Sequence, residues 1–237
     1  MKDKEIHLAR AAYYGWLAVL FGYIKEENTL GSVVENLEIF ATNPLEEKSK
    51  DAIDAMRVFL KTKGNKGLKE ESDLVFYSFD TSMIPMSASY YDEQRDDGKK
   101  RLDTIEILLE SPFRRDTFTC KDSEDHIALL FQLMSMLVLH GVEQEEVKSL
   151  ELAEKLFETI LNPFIDTFIA LVFTHEATDF YKHVAVVLQG LVEFERFYLQ
   201  VAAPKYEEVL PHIMALEQKD RKPFSQKARR NPDEITL

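Results

Sequence analysis

Residues 120–130 read CKDSEDHIALL, placing Asp122, Glu124, Asp125 and His126 directly before an apolar run. Carboxylates beside an imidazole can cap a helix, whose first amides lack partners and whose dipole favours negative charge. They can also hold a ligand. Capping accounts for the acids, with Asp122 or Ser123 accepting from the following turn, and each such contribution is worth roughly 0.3–1 kcal/mol. It leaves His126 unexplained, because a cation is disfavoured at that end of a helix. A neutral, hydrogen-bonded imidazole beside Asp125 fits better. On spacing alone both readings stand: a plain cap, and an Asp125–His126 pair that touches a ligand.

A second cluster, HEATDFYKH, puts His175, Asp179 and His183 at i, i+4 and i+8 with Glu176 adjacent. On one continuous helix these would stack on a single face. They would then resemble an HExxH zinc motif whose second histidine is replaced by aspartate. The alternatives are a metal-dependent enzyme built on His175, Asp179 and His183, or a solvated helix face of acid and imidazole. The glycines and lysines of KTKGNKGLKEES (residues 61–72) lack the spacing of a phosphate-binding loop, and no serine nucleophile elbow is present. Adjacent arginines occur in SPFRRDTF and in SQKARRNP; both read as exposed charges.

The elements that must position these residues read as helices. Ile6, Ala9, Tyr13, Trp16, Leu17 and Leu20 share one face at helical period. A second helix covers about 31–41, and Asn43-Pro44 with Glu46 predicts a capped start for a third. That helix runs to a break at Gly64–Gly67, and LKEESDLVFYSF (residues 68–79) reads as a fourth. Residues 78–90 resist periodicity: the segment is serine-rich, contains Pro85, and is flanked by Phe76, Tyr77, Phe79, Tyr90 and Tyr91. A loop that gathers aromatics reads as packed and functional. Further helices are predicted over about 92–110, 124–139 (stopping before Gly141 as a C-terminal glycine), 144–161, from Pro163, 177–201 and 205–218. No segment alternates at period two. The expectation is an all-α bundle of about ten helices in two halves, residues 1–110 and 124–218, joined by a hinge at 111–123 and followed by a basic tail at 219–237.

With 237 residues, 45% hydrophobic and 30% charged, the chain can bury a core without staples. Cys120 is alone, which excludes an internal disulfide and a cysteine-based zinc site and suits a reducing compartment. No stretch approaches the ~18 consecutive apolar residues of a membrane span, and the N-terminus lacks the pattern of a cleaved leader. A cytoplasmic protein without stable membrane insertion is expected. Twenty-nine basic residues against 42 acidic ones give a net charge of −13, which disfavours nucleic acid and attracts basic partners. Lys219, Arg221, Lys222, Lys227, Arg229 and Arg230 reverse that sign in the tail, which reads as a solvated, flexible segment.

The landmarks together resemble a family. Asp125-His126-Ile127-Ala128-Leu129 with Met134 is similar to the DHIAL-type signature of the TorD/DmsD/NarJ redox enzyme maturation chaperones. IPMSASYYDEQ resembles their proline–serine–tyrosine loop, and DFYKHVAVVLQGLVEFE their late helix. The chain departs from the pattern at Glu124, where relatives often carry proline, and at Leu130 and Gln132, where they carry glutamate. The resemblance implies a cytoplasmic chaperone, not an enzyme, whose partner is the precursor of a molybdenum- or tungsten-cofactor oxidoreductase. It would bind the twin-arginine signal peptide or a nearby part of the apoenzyme, delaying export until the cofactor is inserted. Some members are linked to guanine nucleotide or molybdopterin binding; no resident cofactor is expected. On this reading Pro85, Ser87, Ser89, Tyr90 and Tyr91 line a peptide groove, and Phe76, Tyr77 and Phe79 form its apolar wall. Asp125 accepts from an arginine beside His126. The alternatives are a helical scaffold for another basic peptide and the metal-dependent enzyme above. A hinge at 111–123 permits either a monomer or a domain-swapped dimer.

Overall fold

A computed structural model describes residues 2–25, 30–79 and 81–205. The expected helix at 205–218 (beyond Lys205) and the basic tail at 219–237 lie outside them. Among the described residues the chain forms nine α-helices and two π-helical turns and no strand: α1 (Lys2–Phe21), α2 (Gly31–Thr42), α3 (Glu47–Ser72), α4 (Ala88–Glu93), α5 (Lys99–Glu110), α6 (Ile127–Glu143), α7 (Val147–Leu156), α8 (Ile165–Thr174) and α9 (Tyr181–Leu199). The π turns, Asp73–Tyr77 and Phe157–Leu161, extend α3 and α7.

The sequence halves pack through each other. α1 lies along α6, and α3 along α9, so one continuous apolar core runs through both. α1 and α6 approach closely because Gly15 carries no side chain: a Cβ there would stand 3.1 Å from Ser135 Oγ. That hydroxyl instead donates to the carbonyl of Ala11 at 2.8 Å. Arg10 and Glu195 join α1 to α9 as a buried, two-pronged ion pair at 2.6 and 2.7 Å. A pair so enclosed needs its hydrogen bonds complete, since either charge alone would be stranded out of water.

Several boundaries move from their expected places. Asn43 closes α2 instead of opening α3, which starts at Glu47. Gly64 does break α3, at φ 66°, but the helix resumes at once. The helix expected over 92–110 is two: Gln94 and Asp97 adopt φ 56° and 58° between α4 and α5. Gly141 lies inside α6, where a Cβ would strike Leu150 Cγ at 2.7 Å, so its role is to let α7 pack closely. The helix expected at 177–201 starts at Tyr181 because Glu71, reaching across from α3, accepts from the amides of Asp179, Phe180 and Tyr181 at 2.8 Å. No single described helix is long and apolar enough to cross a membrane.

Candidate functional site

The loop before α4 and the chain before α6 are both extended at their junctions, with Ser87 at φ −108°, ψ 138° and His126 at φ −64°, ψ 134°. They pair. Ile127 N donates to Met86 O at 2.8 Å and Ala88 N to Asp125 O at 3.0 Å, closing an antiparallel bridge between Ser87 and His126. The proline–serine–tyrosine loop and the DH pair therefore form one seam.

Side chains complete it. Asp125 Oδ2 accepts from Ser89 N at 2.8 Å and so caps α4 from another part of the chain. His126 caps its own helix, its Nδ1 accepting from Ala128 N at 3.3 Å. The expected cap at Asp122 or Ser123 is thus replaced by His126, which explains a histidine at this end of a helix: as the neutral acceptor it carries no cation. Burial lowers its pKa, against the opposing charges of Asp122 and Asp125. Ser89 Oγ accepts from Arg101 N at 3.2 Å, and Tyr91 donates to Pro85 O at 2.9 Å.

Burial divides the residues expected to line a groove. Asp125 and Ser89 are 0% exposed, and Ser87, Tyr91, Phe76 and His126 are also buried. Phe76 meets Phe21 and Tyr181, and Tyr91 stacks on Phe164 at 5.0 Å, so both sit in the core between the halves. Asp125 is fully enclosed, with Oδ2 committed to Ser89 and Oδ1 without a hydrogen-bond partner. Pro85, Tyr77 and Tyr90 are half-buried, and Phe79 is 94% exposed.

Outside the seam lies a face that combines acid and aromatic groups. Tyr77 meets Tyr23 edge-on at 5.1 Å, and Leu74, Phe79 and Met83 are exposed on the same stretch of chain. The carboxylate of Asp122 is exposed and close enough for its charge to act on both Tyr77 and His126. Burial first, then the charges of Asp122 and Asp73, push the Tyr77 phenol up to about 12. Such a surface can take a guanidinium against carboxylate and aromatic ring and an apolar side chain beside it.

Asp122 and Tyr23 were not among the residues singled out as binding. Asp122 was legible only as a cap, and Tyr23, in the segment after α1, meets Tyr77 across 54 positions of sequence, for which the local sequence has no signal. Glu124, at the rim of the seam, is gripped by Arg101 Nε at 2.7 Å and approached by Arg115 Nε at 3.0 Å. Burial works to raise its pKa, but the hydrogen bond from Arg101 and the charges of both arginines leave it lowered.

The second cluster comes apart. α8 ends at Thr174 and α9 begins at Tyr181, so His175, Asp179 and His183 do not share a helix. His175 Nδ1 accepts from Ala177 N, which leaves Nε2 protonated to donate to Ser82 O at 3.1 Å. Asp179 is held by Lys63 at 2.9 Å and Lys182 at 3.2 Å. Among the described residues no group of three or more His, Cys, Asp or Glu side chains is arranged to hold a metal ion.

The profile of the nitrate reductase delta subunit family matches residues 42–170, more than half of the chain. No curated protein matches the sequence significantly. Among solved structures, a proposed redox enzyme maturation protein from Archaeoglobus fulgidus superposes with a TM-score of 0.51 at 17% identity, covering 78% of this chain and 92% of its own. At that identity the likeness establishes the fold.

Proposed function

Because this chain belongs to the nitrate reductase delta subunit family, we propose that it is a cytoplasmic maturation chaperone for a molybdenum- or tungsten-cofactor oxidoreductase. It binds the twin-arginine signal peptide of the precursor, or an adjoining part of the apoenzyme, and delays export until the cofactor is in place. The role is one of binding rather than catalysis, and it needs no resident cofactor.

One observation carries this reading: the exposed carboxylate of Asp122 lies close enough for its charge to act both on Tyr77 and on His126 of the Ser87–His126 seam. The buried residues, Asp125, His126, Ser87, Ser89, Tyr91 and Phe76, hold the seam's geometry. Pro85, Tyr77, Tyr90 and Phe79 reach the surface as apolar contacts, and Asp122 supplies the carboxylate for an arginine. A peptide of two guanidinium groups followed by an apolar run matches that order of chemistry. The chain's net charge of −13 speeds its encounter with a basic segment.

Co-expression tests the reading. The full chain is produced with a molybdenum-oxidoreductase precursor encoded in the same genome, with and without its twin-arginine segment, and the products are separated by size. A complex that forms only when the segment is present is expected. Absence of any complex with either form contradicts the proposal.

A further inference from the structure

Beneath the 111–123 connection, the outer face of α6 forms a cleft of about 170 Å³, floored by Leu129, Leu133 and Met136 and walled by Leu108 and Phe113. An apolar cavity of about 150 Å³ already accepts one ring-sized group. Glu124 closes one end of the cleft, and Arg114 and Arg115 border it. The cleft therefore joins an apolar floor to a carboxylate.

The two arginines are held differently. Arg114 Nη1 donates to the carbonyls of Leu108 at 2.7 Å and Ser111 at 2.8 Å, closing the end of α5. Arg115 turns to Glu124, and its Nη1 donates to the carbonyl of Asp122. Its Nε lies 3.0 Å from Glu124 Oε1 but makes no aligned hydrogen bond. Arg101 grips the other oxygen at 2.7 Å, aligned. Of the two guanidinium groups on Glu124, the one from the connection is the poorer fit, and charge-assisted pairs draw much of their strength from alignment.

We propose that this cleft is the subsite for one arginine and the adjoining apolar side chain of the twin-arginine segment, and that Arg115 holds its Glu124 carboxylate in the free protein. The proposal rests on the peptide-binding reading above. Asp122, exposed, takes one incoming guanidinium; the other displaces Arg115 from Glu124, two residues along. The chain's own Arg115 thus stands where the incoming guanidinium would bind. A site occupied by its own chain binds an outside ligand only through its unoccupied fraction, so the apparent affinity falls by that fraction.

The test uses the full chain and a fluorescently labelled synthetic peptide with two consecutive arginines followed by phenylalanine and leucine. If Arg115 holds the site in about nine molecules of ten, Arg115→Ala binds the peptide about tenfold tighter than the unaltered chain. Adding Glu124→Gln removes that gain. In the unaltered protein, arginine-selective NMR should show the Arg115 Nε–H signal shift on peptide addition, a readout that does not depend on a variant folding. If the unaltered chain binds the peptide while Arg115→Ala binds no tighter and the Arg115 signal stays put, the occupancy is overturned and the peptide-binding reading survives. If neither chain binds, both fall.

Discussion

The backbone amide of Ser89 donates to Asp125 Oδ2 at 2.8 Å across 36 residues of sequence. This bond links the start of α4 to the chain entering α6, and it assigns the aspartate a structural task. Asp125→Ala leaves a buried amide without its acceptor, which costs about 1–3 kcal/mol. Asp125→Asn keeps an acceptor oxygen and should cost less. Urea unfolding of the three proteins checks the order. An alanine variant as stable as the parent would contradict the seam.

His126 makes stability depend on pH. Its folded-state pKa lies below the ordinary 6.5, chiefly through burial, with Asp122 and Asp125 pulling the other way. Between the folded and unfolded values the unfolded chain binds more protons, so stability rises with pH through that window. It falls as pH drops below about 6.5, when the imidazole must charge and give up the acceptor that holds Ala128 N. His126→Asn keeps a capping side chain but does not titrate. Midpoints measured from pH 5 to 8 should therefore slope less steeply for the variant. Parallel curves would contradict the assignment.

The Arg10–Glu195 pair fastens α1 to α9 with both side chains buried. Glu195→Ala strands a buried guanidinium and should cost about 3–5 kcal/mol. Replacing both residues by leucine or methionine should recover much of that loss, because apolar pairs of similar volume often match a buried ion pair. Denaturant midpoints for the single and double variants decide it. A double variant less stable than the single one would show that the pair contributes more than mutual neutralisation.

Helices with a strong apolar period were legible in the sequence. α1 lies where the period of Tyr13, Leu17 and Leu20 predicts it, and α6 (Ile127–Glu143) overlaps the span expected at 124–139. Their ends were not, because the deciding partners are distant: Glu71 fixes the start of α9 from more than a hundred residues away. Gly141 was misread as a stop signal because its reason is Leu150, a neighbour in space. The turn between α4 and α5 uses Gln94 and Asp97 at positive φ, with no glycine at either position to announce it. The adjacency of the loop and the DH pair followed from family resemblance. The division of labour within the site required burial, which no spacing reveals. Asp122 and Asp125 stand three residues apart with the same side chain, yet one is exposed and the other enclosed.

Calorimetric titration of the full chain with twin-arginine signal peptides tests the central claim most directly. Each peptide is paired with its Lys-Lys counterpart, and the best is repeated on Asp122→Asn. The account predicts a dissociation constant near micromolar, about −8 kcal/mol. It also predicts binding about tenfold weaker with Lys-Lys, which lacks the planar fork, and again weaker with Asp122→Asn. Equal affinity for Arg-Arg and Lys-Lys, or no heat from any peptide in the panel, would contradict it.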